Sequence, residues 1–341
     1  MRSGWWYGIG AALSFGVSTP LTSRLVEHVD AQLLAGLLYA GAVLALVPAA
    51  ATRSVRHESP ITRRDLPRLG VVVATGGVVA PVLLLAGLHR VGGLVGSLLL
   101  NAEAPLTIGF AVFLFGERLR RRGLLAAAVI IAAAAGSGLA PGGGAWVTPS
   151  GTLLVVAACA CWALDNNLTA GLTSRDPVGL ALVKASVAAA TNIAIALARS
   201  AALPSWDVLF AALGVGAVSY GLSIAWDGYA LRALGAAREA GLFAAAPFAG
   251  AVFAVVLGDR GTPGLWFMGG LMAIGVVLLS RQEAARPHAH RAVEHAHRHE
   301  HDQHHQHEHD ERSGSVHSHS HAHPSLSHAH TVVPDLHHRG L

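Results

Sequence analysis

Side chains that can bind divalent metals are concentrated near the C-terminal end of the chain. Eighteen of the 21 histidines fall between His288 and His338, as in the run "HEHDQHHQHEHD" from His299 to Asp310. Neutral imidazole is a good ligand for Zn, Ni, Co and Cu, and spacings such as "HSHSHAH" put several rings within reach of one ion. The metal-ligand candidates are His295, His297, His299, His301, His304, His305, His307, His309, His317, His319, His321 and His323.

The segment that carries these histidines, 281–341, contains almost no large apolar residue. Because such a composition cannot bury enough apolar surface to offset the entropy of folding, we expect the segment to be a disordered tail. Its metal affinity supports three hypotheses. The tail delivers metal to a pore, it senses or buffers metal beside another activity, or it is low-complexity sequence without a role.

A second set of polar side chains interrupts long apolar stretches that precede the tail. Ionisable groups in such stretches are costly, and they face a cavity or a partner. Amides there bind a solute or hold helices together, and a deep tryptophan lines a cavity or packs in the core. The substrate or coupling candidates are Glu103, Asp165, Asn166, Lys184, Asn192, Asp227 and Trp162.

Asp165 and Lys184 are expected to lie at similar depth on consecutive helices. Each is six or seven residues from the nearer helix end, which corresponds to roughly 10 Å at 1.5 Å per residue. Equal depth predicts an ion pair. The pair either lines a solute cavity and exchanges protons, or holds the two helices together as a static contact.

Glu103 lies two residues before Pro105, near the middle of another apolar stretch. A carboxylate there suits proton coupling, unless Asn101 or a backbone carbonyl freed by the proline satisfies it. Pro105 and its counterpart Pro247 are predicted to kink equivalent helices.

The elements that position these side chains are membrane-spanning helices. Only 13% of the residues are charged, and many of those lie in the tail. Breaks at charges, prolines and glycine clusters predict ten spans, each close to the length that crosses a hydrocarbon core of about 30 Å. The predicted spans are 4–22, 31–51, 69–88, 94–115, 123–140, 150–170, 178–198, 207–227, 235–257 and 263–280.

Arginine in the connecting loops indicates the orientation of these spans. With both termini in the cytoplasm, thirteen arginines fall on the cytoplasmic side and four on the other side. This positive-inside bias predicts a multi-pass inner-membrane protein with a cytoplasmic tail.

The two halves of the apolar region form an internal repeat. An offset of 142 residues matches Pro105 with Pro247 and "Gly-Glu-Arg" from Gly116 with "Gly-Asp-Arg" from Gly258. A nearby offset aligns "SFGVSTPLT" from Ser14 with "CWALDNNLT" from Cys161. Because five spans is an odd number, the second copy crosses the membrane in the opposite sense. The repeats are predicted at 4–140 and 150–280.

The chain resembles the EamA-like branch of the drug/metabolite transporter superfamily in three features. These are ten spans in two inverted repeats, an aromatic residue with small residues in the first span of each repeat, and a Gly-acid-Arg motif after the proline of each fourth span. The resemblance covers about 4–280 and leaves out the tail. It implies an all-α secondary transporter, often an exporter of amino acids, related metabolites or drugs, with a cavity between the halves.

The hypothesis favoured by these patterns is a transporter, most simply an exporter, of a small organic metabolite by alternating access. Its partners would be the lipid bilayer and the solute, no cofactor is required, and a homodimer is left open. Alternatives are a divalent-metal efflux permease that uses the tail as a collector, and a membrane metal sensor or scaffold. The chain contains no Gly-rich phosphate loop and no nucleophile-base set, so we predict neither ATP-driven transport nor an enzyme, and no nucleic-acid partner.

Overall fold

The computed structural model describes most of the chain as helices, with short strands near the C-terminus. The described residues are 2–51, 61–115, 121–139, 148–172, 176–234, 236–280, 285–289, 293–300, 316–323 and 327–331.

Fourteen α-helices, two π-helices and one 3-10 turn are found in these residues. The first half contains α1 (Arg2–Gly16), α2 (Ser18–Leu25), α3 (Ala31–Ala50), α4 (Leu66–Val72), π1 (Val73–Val79), α5 (Ala80–Leu99), the 3-10 turn Leu100–Ala102, α6 (Glu103–Phe115) and α7 (Arg121–Leu139). The second half contains α8 (Pro149–Ala170), α9 (Pro177–Ala198), α10 (Trp206–Val215), π2 (Gly216–Leu222), α11 (Ser223–Leu234), α12 (Ala236–Phe243), α13 (Ala246–Val256) and α14 (Pro263–Ser280).

Five helical runs in the described residues are long and apolar enough to cross a membrane. They are Ala31–Ala50, Leu66–Leu114, Pro149–Ala170, Val178–Ala198 and Trp206–Ala230. Shorter apolar helices cover Gly123–Ser137, Gly241–Val256 and Pro263–Leu279. Many large apolar side chains on these helices face outward, among them Phe113, Phe210 and Val256. Because such side chains belong in hydrocarbon rather than water, the protein is a multi-pass membrane protein.

Several predicted spans are broken in the structure. The first consists of α1 and α2, which are separated at Val17, and α12 and α13 form another interrupted pair. The run from Leu66 to Leu114 is kinked at Gly92, whose φ of 76° lies in the left-handed region. Only glycine adopts this conformation without strain, so Gly92 fixes the boundary between two predicted spans.

Local sequence explains where the helices of the second half begin. Thr148 and Asp176 accept hydrogen bonds from the backbone N–H groups of Gly151 and Val178, so they cap α8 and α9. Proline follows each cap, where its fixed φ suits the first helical turn and its missing N–H removes no hydrogen bond.

The core is built from small and aliphatic side chains that allow close helix approach. α3 packs along α9 and against π2. A Cβ at Gly36 would lie 2.6 Å from Ile193 Cγ1 on α9. A Cβ at Gly41 would collide with the backbone carbonyl of Leu213, and a Cβ at Gly216 would collide with that of Leu38. Small residues at such crossings are how membrane helices gain van der Waals contact.

Four strands lie in the predicted tail: β1 (Ala285–Ala289), β2 (Val293–Glu300), β3 (Val316–His323) and β4 (Ser327–Thr331). β1 pairs with β4 and β2 with β3, both antiparallel and in one continuous register. This differs from the disorder predicted for 281–341. That prediction considered only the missing apolar core, whereas main-chain pairing needs no apolar side chain. The remaining residues of the tail lie outside the described ones.

Candidate functional site

The centre of the candidate site is an ion pair between Asp165 on α8 and Lys184 on α9. Lys184 Nζ donates to Asp165 Oδ2, and Thr169 donates to Asp165 Oδ1 at 3.2 Å. The Asp165 side chain is 4% exposed, whereas the Lys184 side chain is 23% exposed. The ion pair expected from equal helix depth is therefore present, with its cation the more accessible partner.

Glu103 extends this site from α6. Its Oε1 accepts a hydrogen bond of 2.8 Å from Asn166 Nδ2, and Asn166 is exposed. The sequence-based alternative of Asn101 as its partner is wrong, because Asn101 Nδ2 donates instead to Leu98 O at 2.9 Å. α6 and α8 are also joined by Asn167, which donates to Thr107 O at 2.9 Å.

π1 presents two backbone carbonyls to the same region. Each backbone carbonyl has two lone pairs, so a carbonyl within a helix can also accept a hydrogen bond from a side chain. Gly76 O accepts from Tyr39 Oη at 2.9 Å and from Trp162 Nε1 at 3.0 Å. Gly77 O accepts from Asn192 Nδ2 at 3.0 Å. Trp162 and Asn192 therefore satisfy the backbone of π1.

Gly76 also leaves space for the ion pair. A Cβ at this position would collide with the Asp165 carboxylate. Gln32 completes the network by donating to Asn192 Oδ1 at 2.6 Å, so polar side chains from α3, α8 and α9 meet around π1, and Glu103 of α6 is joined to them through Asn166. We call Glu103, Asp165, Asn166 and Lys184 the polar cluster.

Asp227 is the candidate that the structure places apart from the polar cluster. It lies on α11, which packs against α12, and the neighbouring acidic side chain on α12 is Glu239. Glu239 was not among the sequence-based candidates.

Pro105 and Pro247 lie in the first turns of α6 and α13. The helix before Pro105 passes through the 3-10 turn Leu100–Ala102, and the helix before Pro247 ends at Phe243. Each proline thus stands just after a break in its helix, where its missing N–H leaves no vacant hydrogen bond inside the helix.

The histidine candidates divide between two parts of the tail. His295, His297 and His299 lie on β2, and their Cα partners on β3 are His321, His319 and His317. His323 pairs with Val293. The candidates His301, His304, His305, His307 and His309 lie outside the described residues. In the described part of the chain, no group of three or more His, Cys, Asp or Glu side chains is arranged to hold a metal.

Sequence reasoning missed Tyr39, Gln32 and Gly76 as members of the site. The available signals were a tyrosine and a glutamine within one apolar span and the glycine pair Gly76-Gly77 within the next. None of them indicates a π-helix, so the carbonyl acceptors on Gly76 and Gly77 could not be anticipated.

Comparison with known proteins defines the class to which this site belongs. Residues 2–139 match the model of the EamA-like transporter family. A curated uncharacterized transporter of Methanothermobacter thermautotrophicus is 30% identical over 277 residues, which cover 75% of this chain and 80% of that protein. A crystal structure with 17% sequence identity superimposes with a TM-score of 0.55 over 82% of this chain and 97% of the other, which supports the fold alone.

Apolar helices that bring ionisable side chains together, and a transporter among the relatives, define a membrane transporter that lies in the lipid bilayer and handles small molecules. The chain belongs to the EamA-like transporter family. The family that the sequence motifs resemble is thereby confirmed.

Proposed function

We propose that the protein is a secondary transporter that exports a small organic metabolite, amino-acid-like or drug-like, across the inner membrane by alternating access. The observation that carries this proposal is the polar cluster, in which Glu103 and Lys184 extend from different helices toward partly exposed space. Charged side chains in membrane helices mark solute and ion pathways.

The charges of the polar cluster suit a solute that has both an amine and an acid group. Among the residues that the structure describes, only the neutral amide of Asn166 holds the Glu103 side chain, so its carboxylate is available to an ammonium group. Lys184, the more exposed partner of its pair, is available to a carboxylate. A proton on Glu103 would compete with the ammonium group, which couples solute export to proton entry.

The architecture of the proposal is ten spans in two inverted five-helix repeats, 4–140 and 150–280, with both termini in the cytoplasm. The positions of π1 and π2 support the repeat, since Val73 and Gly216 start these elements close to the sequence offset of 142 residues. In inverted-repeat transporters the solute site lies at the repeat interface near the bilayer midplane. α8 and α9 of the second repeat meet π1 and α6 of the first at the polar cluster.

Counterflow in reconstituted vesicles tests this function. A thermal-shift screen of the purified protein against amino acids and organic amines first identifies a stabilising compound, since a ligand of the native state raises its stability. We expect labelled compound to accumulate in vesicles that contain wild-type protein. In vesicles that contain Glu103→Gln, the initial rate of this accumulation should be at least tenfold lower. Glu27→Gln, which removes an exposed carboxylate after α2, is the matched control. Equal counterflow by Glu103→Gln and wild type would contradict the proposal.

The tail has a proposed role of its own, which is to bind Zn, Ni, Co or Cu as a regulatory or buffering element. The composition of the tail supports this, because 18 of the 21 histidines lie between His288 and His338 and neutral imidazole is a good ligand for these metals.

Deletion of 287–341 tests the tail. We expect lower binding of Ni or Zn by the purified protein and unchanged counterflow of the organic solute. If deletion instead abolishes cellular metal tolerance and leaves the organic solute without transport, the metal-efflux alternative takes the place of this proposal.

A further inference from the structure

Asp259 joins the two halves of the molecule at the end of α13. Its Oδ1 lies 3.4 Å from Nη2 of Arg24, a residue in the last turn of α2, and its Oδ2 accepts the backbone N–H of Leu94 at 3.0 Å. Arg24 Nη2 also donates to Leu257 O at 2.6 Å. We call Arg24, Leu94 and Asp259 the end junction.

The backbone at the C-terminal end of α13 orients the Asp259 carboxylate. Gly258 has a φ of 103°, its N–H donates to Val255 O at 2.9 Å, and the Asp259 N–H donates to Ala254 O at 3.0 Å. These two bonds form the Schellman motif, in which a left-handed glycine reverses the chain at a helix C-terminus. The reversal turns Asp259 back toward α2 and α5.

Both groups that bind Asp259 lie at helix ends, the Arg24 cation at a C-terminal end and the Leu94 N–H at an N-terminal end. Arg24 lies beside the C-terminal carbonyls of α13, where a cation is favoured. Leu94 follows the turn at Gly92, so its N–H belongs to the start of the helical run that continues to α6. A carboxylate from the other half of the chain thus takes the place of an N-cap.

Close packing beside the end junction shows that the helices are shut at this end. A Cβ at Gly93 would lie 2.8 Å from Pro20 Cα, and one at Gly250 would lie 2.6 Å from Gly16 O. The backbones of α2 and α5 therefore touch at Gly93, and those of α1 and α13 touch at Gly250. By contrast, Asn166 and Lys184 of the polar cluster keep exposed surface.

The end junction and the polar cluster lie at different depths on one helical run. Glu103 follows Leu94 by nine residues, or about 14 Å at 1.5 Å per residue. α8 runs between the same two regions, because its first turn at Gly151 lies beside Val91 whereas Asp165 lies near its other end. A displacement of Leu94 is carried along this run toward Glu103.

We propose that Asp259 is a positioning residue for transport: it holds the Leu94 end of the run that carries Glu103 and keeps this end of the solute pathway closed until Arg24 and Leu94 are released. Opening requires the loss of an ion pair and two charge-assisted hydrogen bonds at one place. This inference rests on the proposed transport function.

Cysteine accessibility from each side of the membrane tests the end junction. The reporter is Asn166→Cys with both native cysteines replaced by alanine, in vesicles of known orientation, and the probe is a membrane-impermeant maleimide. Because a hydrogen bond to a charged group can shift a two-state equilibrium by roughly tenfold, we expect Asp259→Ala to raise labelling from the Asp259 side several-fold. Labelling from the opposite side should fall.

A second test variant and a control variant complete the experiment. Arg24→Met, at a side chain that is 51% exposed, should change labelling in the same direction even if Asp259→Ala folds poorly. Asp207→Ala, which removes an exposed acid from the first turn of α10, is the control and should leave labelling unchanged. Wild-type labelling rates from both sides in Asp259→Ala and Arg24→Met would overturn the proposal. Labelling reports the conformation without any solute, so a shift in labelling without solute transport would refute only the transport function.

Discussion

Replacement of Lys184 by methionine should destabilise the protein more than replacement of Asp165 by asparagine. The two side chains form one ion pair, but Asp165 is 4% exposed and Lys184 is 23% exposed. In Lys184→Met the buried carboxylate keeps, among the described residues, only the Thr169 hydroxyl, whereas in Asp165→Asn the ammonium group retains some access to water. The cost of removing one partner therefore depends on which charge is left.

The magnitudes follow from this asymmetry. Removal of one partner from a buried pair costs about 3–5 kcal/mol, which we expect for Lys184→Met. For Asp165→Asn we expect about 1–3 kcal/mol, since the remaining charge is partly solvated. The double variant removes both charges and should be more stable than Lys184→Met alone.

Unfolding by SDS in mixed micelles, followed by tryptophan fluorescence, gives the three free-energy changes. Arg199→Met is the control for loss of an exposed charge and should change stability by no more than about 0.5 kcal/mol. The reasoning is refuted if Asp165→Asn is the more damaging single change, or if the double variant equals the sum of the two.

Three more substitutions test the surroundings of the two sites. Gly76→Ala should lower transport, and it should lower the free energy of unfolding by about 1–3 kcal/mol because the added Cβ meets the Asp165 carboxylate. The control is Gly70→Ala, whose Cβ faces open space, and equal effects of the two substitutions on unfolding would contradict this prediction. Tyr39→Phe should cost only about 0.5–1.5 kcal/mol in the same unfolding assay, because Gly76 O keeps its other donor; a loss above 3 kcal/mol would be inconsistent. Gly258→Ala should lower the free energy of unfolding by about 1–2 kcal/mol, because alanine is strained at the φ of 103° that Gly258 adopts. Thermal unfolding of this variant at the wild-type temperature would contradict the prediction.

The sequence predicted features that depend on position along one helix. Depth in a helix follows from counting residues, so the Asp165–Lys184 ion pair could be expected. Charges, prolines and glycines predicted the ends of several helices, and α14 begins and ends where predicted, at Pro263 and Ser280.

Features that depend on helix rotation or on backbone irregularity were missed. The partner of Glu103 is Asn166 rather than Asn101, because the rotation of α6 about its axis is set by packing against α8. The π-helix that contains Gly76 has no sequence signature in the pattern of apolar residues. Likewise the bond from Leu94 to Asp259 joins residues far apart in the chain, and only the assembled helices bring them together.

The polar cluster as solute site is tested most directly by the affinity of the compound that emerges from the thermal-shift screen. We predict that Glu103→Gln, which keeps the shape of the side chain and its hydrogen bond with Asn166, weakens binding at least tenfold while unfolding of the unliganded protein changes little. An unchanged affinity in Glu103→Gln, with wild-type protein measured beside it in the same detergent, would contradict the assignment of the polar cluster as the site where the transported solute binds.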